Sequence, residues 1–377
     1  MSGLKKIKWK HYINYIVIAA ATVLFTVLSF TGVLKSSDVY MLEKIAISIM
    51  LAVSLSMVVG FLGELSLGHA GFMCLGAYLG GKASVLLEPV VGEFPALFIS
   101  ILLGGAIAAI FGVVIGLPAL RLRGDYLAIV TLAFGEIVRS IFMNSSEDTF
   151  GGSLGLNTPR FDKDFLFIIA FVLVIACLAV IQNLIRSKHG RAITSIRDNE
   201  IAAKATGINV TKYKLLVFTV SSFFAGVAGV LYSYSNFTVQ STNFDYNYSI
   251  EILVMVVLGG MGNITGSIVS ATLITFLDVK MQTILTGNLA VLQDLFYALI
   301  LIVIVIYNNT PALNNFRGKY NIKKLLGKFK KQNPANIKDD EAKWDRVPTK
   351  IEVDELLSVD LQVTSPYTPD KTKKGDK

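Results

Sequence analysis

The feature that most constrains this chain is its series of apolar segments, many of them long enough to cross a lipid bilayer. A membrane-spanning helix needs roughly 20 apolar residues, and ten such segments, some of them shorter, can be traced. They are Tyr12–Thr31, Met41–Val59, Ser66–Val85, Phe94–Leu117, Tyr126–Met143, Phe165–Ile185, Leu215–Ser235, Ile250–Gly260, Ile264–Leu277 and Leu289–Tyr307. Hydrophobic residues make up 53% of the 377 residues, and charged residues make up 16%. This composition gives more apolar surface than one soluble core can bury. We therefore predict an all-α polytopic membrane protein with about ten transmembrane helices, including broken or half-length helices, and exclude a soluble globular enzyme.

The Lys and Arg residues predict which side of the membrane each connecting segment faces. Cytoplasmic connections carry an excess of these residues. If the amino terminus is cytoplasmic and the chain crosses the membrane ten times, the segments through Lys331 place 20 Lys and Arg residues on the cytoplasmic side and 6 on the outer side. The inside segments are then the start of the chain, Gly60–Leu65, Pro118–Asp125, Arg186–Lys214, the 261–263 turn and everything after Tyr307. Both termini are predicted to be cytoplasmic, and Asn144–Lys163 is predicted to lie outside.

The apolar segment Ile250–Leu277 can be interpreted in two ways. It is either one crossing or a hairpin of two half-length helices that turn at Gly259–Gly266. A single crossing would put the basic stretch Arg317–Lys331 outside while the equally basic Arg186–Lys214 stayed inside, so the charge distribution favours the hairpin. Glycine also costs about 1 kcal/mol in a helix interior relative to alanine, which disfavours continuous helix through this cluster.

The changes in composition divide the chain into four parts. Residues 1–11 form a basic amino-terminal segment that resembles the start of a signal peptide, but the following apolar run is longer than such peptides have, so we predict a retained anchor. Residues 12–307 form the transmembrane domain. Residues 308–331 are a basic juxtamembrane segment, and residues 332–377, rich in Asp, Glu, Lys, Pro and Thr, are predicted to be disordered.

The residues that usually carry enzyme chemistry do not form a recognisable set. The sequence has no P-loop pattern, no metal-ligand spacing and no nucleophile with an adjacent base. Cys74 and Cys177 both lie inside apolar runs, which excludes a disulfide framework or a cysteine-based metal site. We expect no cofactor on this chain and no binding of nucleic acid, despite its net charge of +8.

Two glycine-rich breaks in the apolar segments, the first at Gly63–Gly71 and the second at Gly259–Gly266, coincide with polar residues. Most glycines in membrane helices allow close helix packing, but a broken helix exposes backbone groups that can line a pathway. In the fifth span, Glu136 and Arg139 are three residues apart on one helical face, which favours a structural ion pair. The candidate pathway residues are Ser66, His69, Gly71, Thr131, Glu136, Gly259, Gly260 and Gly262.

The segment Arg186–Lys214 is long enough for one or two short amphipathic helices. Apolar residues alternate there with basic ones, namely Ile193, Ile196, Ile201, Ala205 and Ile208 with Arg191, Arg197 and Lys204. One interpretation is a helix that lies on anionic lipid headgroups. The other is a docking surface for a soluble partner.

Four stretches of the sequence resemble the M-type permease of the bacterial branched-chain amino-acid ABC importers. They are Gly63–Tyr78, Arg123–Arg139 with the following Gly151–Leu156, Gly190–Lys214, and Val256–Ser267. The resemblance covers about positions 40 to 307, and the Gly-Arg-Ala, Arg-Asp-x-Glu, Ala-Ala and Gly-Ile-Asn series of the third stretch is its most specific part. The chain after Tyr307 is longer than the family pattern leads us to expect.

The resemblance implies that Gly190–Lys214 presents the coupling helix that fits a groove on an ATP-binding subunit. Within it we expect Ile201, Ala202 and Ala205 to fill the groove, Arg197 and Glu200 to form the polar rim, and Gly207 to end the helix. The full set of predicted coupling residues is Gly190, Arg191, Arg197, Glu200, Ile201, Ala202, Ala205 and Gly207.

The family resemblance also implies partners and a function. Such permeases work with an H-type permease, two ABC ATPase subunits and an extracytoplasmic solute-binding protein, in the bacterial cell membrane, and ATP binds to the partner subunit. We therefore expect a non-enzymatic permease subunit that forms half of a translocation pathway for branched-chain amino acids. The alternatives are a similar importer for urea or short amides, and a stand-alone channel or ion-coupled carrier.

Overall fold

The computed structural model describes residues 13–119, 125–159, 161, 163–284, 299 and 302. The helices are α1 Ile13–Phe30, α2 Ser36–Ser56, α3 His69–Leu75, α4 Gly81–Val91, α5 Glu93–Ala119, α6 Asp125–Met143, α7 Glu147–Phe150, α8 Lys163–Arg186, α9 Lys188–Asp198, α10 Glu200–Ala205, α11 Val210–Ser235, α12 Tyr246–Gly259 and α13 Ile264–Ile284. Two π-helical segments, Met57–Leu62 and Gly76–Gly80, continue α2 and join α3 to α4, and Ser241–Phe244 forms a 3₁₀ helix. The strands β1 Leu156–Asn157 and β2 Thr238–Val239 pair antiparallel.

The predicted all-α membrane architecture is confirmed. Seven helices within the described residues are long and apolar enough to cross a bilayer, and α1 and α12 are shorter apolar helices. These nine elements coincide with the first nine predicted spans. The tenth predicted span, the amino-terminal segment 1–11, the juxtamembrane segment 308–331 and the tail 332–377 lie outside the described residues, apart from residues 299 and 302 of the span.

The helices α2 and α11 form the centre of the bundle. In the most apolar part of Ser36–Leu62, 94% of the residues are buried, although the mean hydropathy of this span is close to that of the more exposed α5. The π-helical segment that begins at Gly76 packs with its backbone directly against the backbone of α11 at Gly226. A Cβ on Gly76 would lie 2.6 Å from the Gly226 Cα, so this close packing requires glycine. The helix α5 instead exposes Phe98, Leu102 and Ile110, which is the pattern expected of a lipid-facing helix.

The first predicted break separates α2 from α3. The π-helical end of α2 stops at Gly63, which adopts φ 81°, a left-handed conformation that glycine takes without strain. Residues 63–68 are not helical, so α3 begins at His69 instead of at the predicted Ser66. The helical run then continues to Val91, beyond the predicted Val85.

The second predicted break is a tight turn between α12 and α13, which confirms the hairpin. Gly260 and Gly262 have φ values of 90° and 80°, and the Asn263 N–H donates to the Gly260 carbonyl at 3.0 Å. Only α12 is short: its 14 residues span about 21 Å at 1.5 Å per residue. The second helix, α13, extends to Ile284 and is longer than the half-length helix expected from the sequence.

Candidate functional site

Most of the predicted coupling region, Gly190–Lys214, folds into the two short helices α9 and α10, and we name these helices, Lys188–Ala205, the coupling segment. Ser187 caps α9 by accepting from the His189 N–H at 3.0 Å, and Asn199 caps α10 by accepting from the Ile201 and Ala202 N–H groups at 3.0 Å. Gly207, at φ 84°, follows the end of α10 and allows the chain to turn toward α11. The sequence thus encodes both helix starts and the stop.

The two helices bury one apolar face and expose another. Ile193, Ile196 and Ala203 are buried, whereas Ile201 is 73% exposed and Ala202 and Ala205 are exposed beside it. The residues predicted to fill a groove on a partner therefore form an outward apolar patch in this chain. An apolar patch rimmed by polar residues is typical of a protein contact site.

Arg197 connects α9 to the first break. Its Nη1 donates to the Gly60 carbonyl at 3.0 Å, and its Nε and Nη2 donate to Asp198 Oδ1 at 3.1 and 3.0 Å. A Cβ on Gly63 would lie 2.6 Å from the Arg197 Cγ, so this position needs glycine for space as well as for its backbone angle. The end of α2 is held directly by the coupling segment.

A buried ion-pair cluster makes a second connection between the same elements. Lys214, at the start of α11 and with 4% of its side chain exposed, pairs with Glu64 of the first break and lies 3.2 Å from Glu200 Oε2. Lys204 donates to the other oxygen of Glu200 at 2.8 Å. The hydrogen bond from Lys204, assisted by Lys214, holds the pKa of the Glu200 carboxyl below its usual range, so Glu200 is ionised at neutral pH.

The second break meets the π-helical end of α2 at Gly60. A Cβ on Gly60 would lie 2.8 Å from the Gly262 Cα, and a Cβ on Gly262 would lie 3.8 Å from Arg197 Nη1. Three segments that the charge distribution places inside the cell thus converge: the first break, the coupling segment and the 260–263 turn. We name this cluster the inner junction, and it comprises Gly60, Gly63, Glu64, Arg197, Glu200, Lys214 and Gly262.

Four of the predicted pathway residues lie together around the start of α3. His69 Nε2 is 2.9 Å from the Ser54 hydroxyl, and Thr131 Oγ1 accepts from the Leu67 N–H at 3.0 Å. The hydroxyl of Ser66 is buried and has no hydrogen-bond partner among the described residues. Gly71 adjoins this group and contacts Gly135 of α6 at backbone distance. Polar side chains thus satisfy part of the backbone that the first break leaves open.

The remaining predicted pathway residues lie elsewhere. Glu136 accepts from Arg139 Nε at 2.8 Å, and both side chains are partly exposed, in agreement with a structural ion pair. Gly259 contacts Gly266 across the hairpin, and Gly260 and Gly262 form its turn. The pathway set is therefore divided between the start of α3, the hairpin turn between α12 and α13, and the surface of α6.

The pairing of Glu64 with Lys214 is not predicted by the sequence pattern. They are 150 residues apart in the chain, and no local spacing relates them. The only available signal was a lysine and a glutamate at the ends of otherwise apolar segments, where a charge needs a partner.

The comparison with known families decides the class of this protein. Residues 39–306 match the family described as the branched-chain amino acid transport system / permease component. This chain belongs to that family. The matched region contains both breaks, the coupling segment and the inner junction of the permease.

The permease is similar to curated proteins of two kinds. It is 37% identical over 259 residues to the high-affinity branched-chain amino acid transport system permease protein LivM of Salmonella typhimurium, a match that covers 60% of each chain. It is 29% identical over 189 residues to the probable branched-chain amino acid transport permease protein LivM of Methanocaldococcus jannaschii, covering 48% of this chain and 54% of that protein. It is 25% identical over 289 residues to the ribose import permease protein RbsC of Escherichia coli, covering 71% and 84%. No solved structure matches the chain.

Proposed function

We propose that this chain is the permease subunit of an ATP-driven importer for branched-chain amino acids, with ATP hydrolysed by partner ABC ATPase subunits. A second, H-type permease would complete the translocation pathway, and an extracytoplasmic binding protein would deliver the solute. Family membership and the 37% identity to LivM support this assignment. The 60% coverage of LivM leaves the solute and the partners to be tested.

The observation that carries the proposal is the double role of the coupling segment. Its outer face presents Ile201, Ala202 and Ala205 to a partner. On its inner side, Arg197 bonds to Gly60 at the end of α2, and Glu200 pairs with Lys214, which in turn pairs with Glu64 of the first break. Closure of the ATPase subunits would push on α10, and the inner junction would transmit this displacement to the end of α2 and to the 260–263 turn. The result is a shift in population between inward-open and outward-open states, driven by ATP binding to the partner.

The solute is tested by uptake into proteoliposomes that contain the permease with its co-purifying partners. We expect ATP-dependent uptake of labelled leucine, isoleucine or valine, and none of urea, acetamide or ribose. ATP-dependent uptake of urea or acetamide alone would replace the branched-chain assignment with the short-amide alternative. Uptake of any solute that persists without every ATPase subunit would favour a stand-alone channel or carrier.

The coupling contact is tested by Ala202→Glu, which places a carboxylate in the centre of the proposed docking patch. Burying an unpaired charge at an interface should weaken association by about 3 kcal/mol, so ATPase retention on the purified permease and ATP turnover in membranes should both fall. Thr211→Glu is the matched control, because Thr211 is exposed nearby at the start of α11 and lies outside the patch. Normal retention in Ala202→Glu, with loss on deleting residues 332–377, would move the coupling site to the tail.

A further inference from the structure

At the end of the bundle opposite the inner junction, the structure contains a polar cavity of about 420 Å³. It lies between α2, the end of α11, the 3₁₀ helix, α12 and α13, on the side that the charge distribution places outside the cell. Its volume is within the range of small-molecule sites, roughly 300–1,000 Å³. We name it the outer polar cavity and define it by Lys44, Ser48, Tyr232, Glu251, Thr275 and Asp278.

Hydrogen bonds hold the loop after α11 against this cavity. The Tyr40 hydroxyl donates to Asn236 Oδ1 at 3.0 Å, and Asn243 Nδ2 donates to the Tyr232 hydroxyl at 3.0 Å. All four residues line the cavity, and Asn243 is exposed at its edge. The wall is therefore organised by specific contacts, and it carries several hydroxyl and amide groups that can bind a polar solute.

The cavity combines both signs of charge on three different helices. Lys44 comes from α2, Glu251 from α12 and Asp278 from α13. Ionisable side chains on membrane helices are costly, and they commonly mark solute pathways. One ammonium and two carboxylates around one cavity complement a solute that itself carries a carboxylate and an ammonium.

Two further observations point to a ligand. The Thr275 side chain lines the cavity and is 5% exposed, and its Oγ1 has no hydrogen-bond partner in the described part of the chain. Ile47, Met73 and Phe244 are buried side chains that form an apolar wall of the same cavity. An uncharged solute such as urea would use neither the opposite charges nor the apolar wall.

We propose that the outer polar cavity binds a free aliphatic α-amino acid, with Lys44 facing its carboxylate and Glu251 and Asp278 facing its ammonium group. The aliphatic side chain lies against Ile47, Met73 and Phe244, and Thr275 donates to the solute. The inference rests on the proposed function for the choice of solute. It adds a recognition site on the permease itself, near the outer end of the bundle.

The test is photolabelling of the full-length permease with photo-leucine, a leucine analogue that carries a diazirine on its side chain. The transporter is irradiated in membranes with its co-purifying partners, and the labelled peptides are mapped by mass spectrometry. We expect labels on α2, α3 or the 3₁₀ helix beside the apolar wall, competed by excess L-leucine. Lys44→Met and Glu251→Gln should each reduce this labelling at least tenfold.

Lys82→Met is the matched control, because Lys82 lies at the same end of the bundle, donates to the Asp148 carbonyl at 3.4 Å and does not line the cavity. The extent of photo-leucine labelling in Lys82→Met should equal that of the unmodified protein. Labelling confined to other segments, labelling unchanged in Lys44→Met, or no labelling in a protein that imports leucine would each overturn the cavity proposal. Labelling of the cavity in a protein that imports no leucine would support the site and refute the importer function, so the two can fail separately.

Discussion

At the scale of single residues, the inner junction contains a buried lysine, Lys214. Its buried ammonium joins Glu64 of the first break to Glu200 of the coupling segment, so one side chain connects three elements. Forming this ion pair and breaking it have unequal effects on stability. A buried pair need not contribute net stability, but removing one member leaves the other charge buried without compensation.

We predict that Lys214→Met lowers the free energy of unfolding by about 3 kcal/mol, because Glu64 loses the partner of its ion pair. Thermal unfolding of the purified protein measures the effect. Lys212→Met is the matched control, since Lys212 is exposed on the same helix, and its change should stay within about 0.5 kcal/mol. Adding Glu64→Gln to Lys214→Met should restore part of the loss. Equal unfolding midpoints for Lys214→Met and Lys212→Met would contradict the assigned role of this cluster.

At the scale of helices, the contact between α3 and α6 depends on two glycines that are not equivalent. A Cβ on Gly71 would lie 2.6 Å from the Gly135 Cα, closer than side chains pack against backbone. A Cβ on Gly135 would instead have its nearest neighbour at 3.7 Å, which is ordinary van der Waals contact. The space at this crossing is therefore limited on one side only.

We predict that Gly71→Ala destabilises the protein by roughly 1–3 kcal/mol, because the two backbones must move apart. Gly135→Ala should be neutral or slightly stabilising, since alanine is the better helix former. Both variants change the same residue type at the same helix crossing, so each controls for the other. If Gly135→Ala unfolds at a lower temperature than Gly71→Ala, the described approach of α3 and α6 is wrong.

At the scale of the whole molecule, the structure groups the connecting segments at two ends in the way that the charge distribution requires. The first break, the coupling segment and the 260–263 turn meet at the inner junction. At the other end, the Leu156–Asn157 strand pairs with Thr238–Val239, and Lys280 of α13 pairs with Asp38 of α2 at 3.3 Å. Which of the two ends faces the cytoplasm is predicted by the positive-inside rule.

We predict that a cysteine at Ser146 is labelled by a membrane-impermeant reagent in intact cells, whereas a cysteine at Lys212 is labelled only after the membrane is opened. Both positions are exposed, and the native Cys74 and Cys177 are buried, so background labelling should be low. Equal labelling of Ser146→Cys and Lys212→Cys in intact cells would refute the ten-span topology with an inside amino terminus.

The sequence by itself determined the membrane class, the approximate positions of nine described helices, the hairpin at Gly259–Gly266 and the end of the coupling helix at Gly207. Each of these depends on local properties, namely the length of an apolar run or the conformational freedom of glycine. The hairpin was distinguished from a single crossing only by the balance of charge between the two sides.

Only the tertiary structure decided which helices are central and which polar groups meet. The apolar pattern of α2 differs little from that of a lipid-facing helix, because lipid and protein interior are both apolar, so burial could not be inferred from hydropathy. Lys214 meets Glu64 across 150 positions, and Lys44, Glu251 and Asp278 come from three helices to one cavity. Such contacts depend on helix rotation and packing, which backbone approaches such as Gly60 to Gly262 determine.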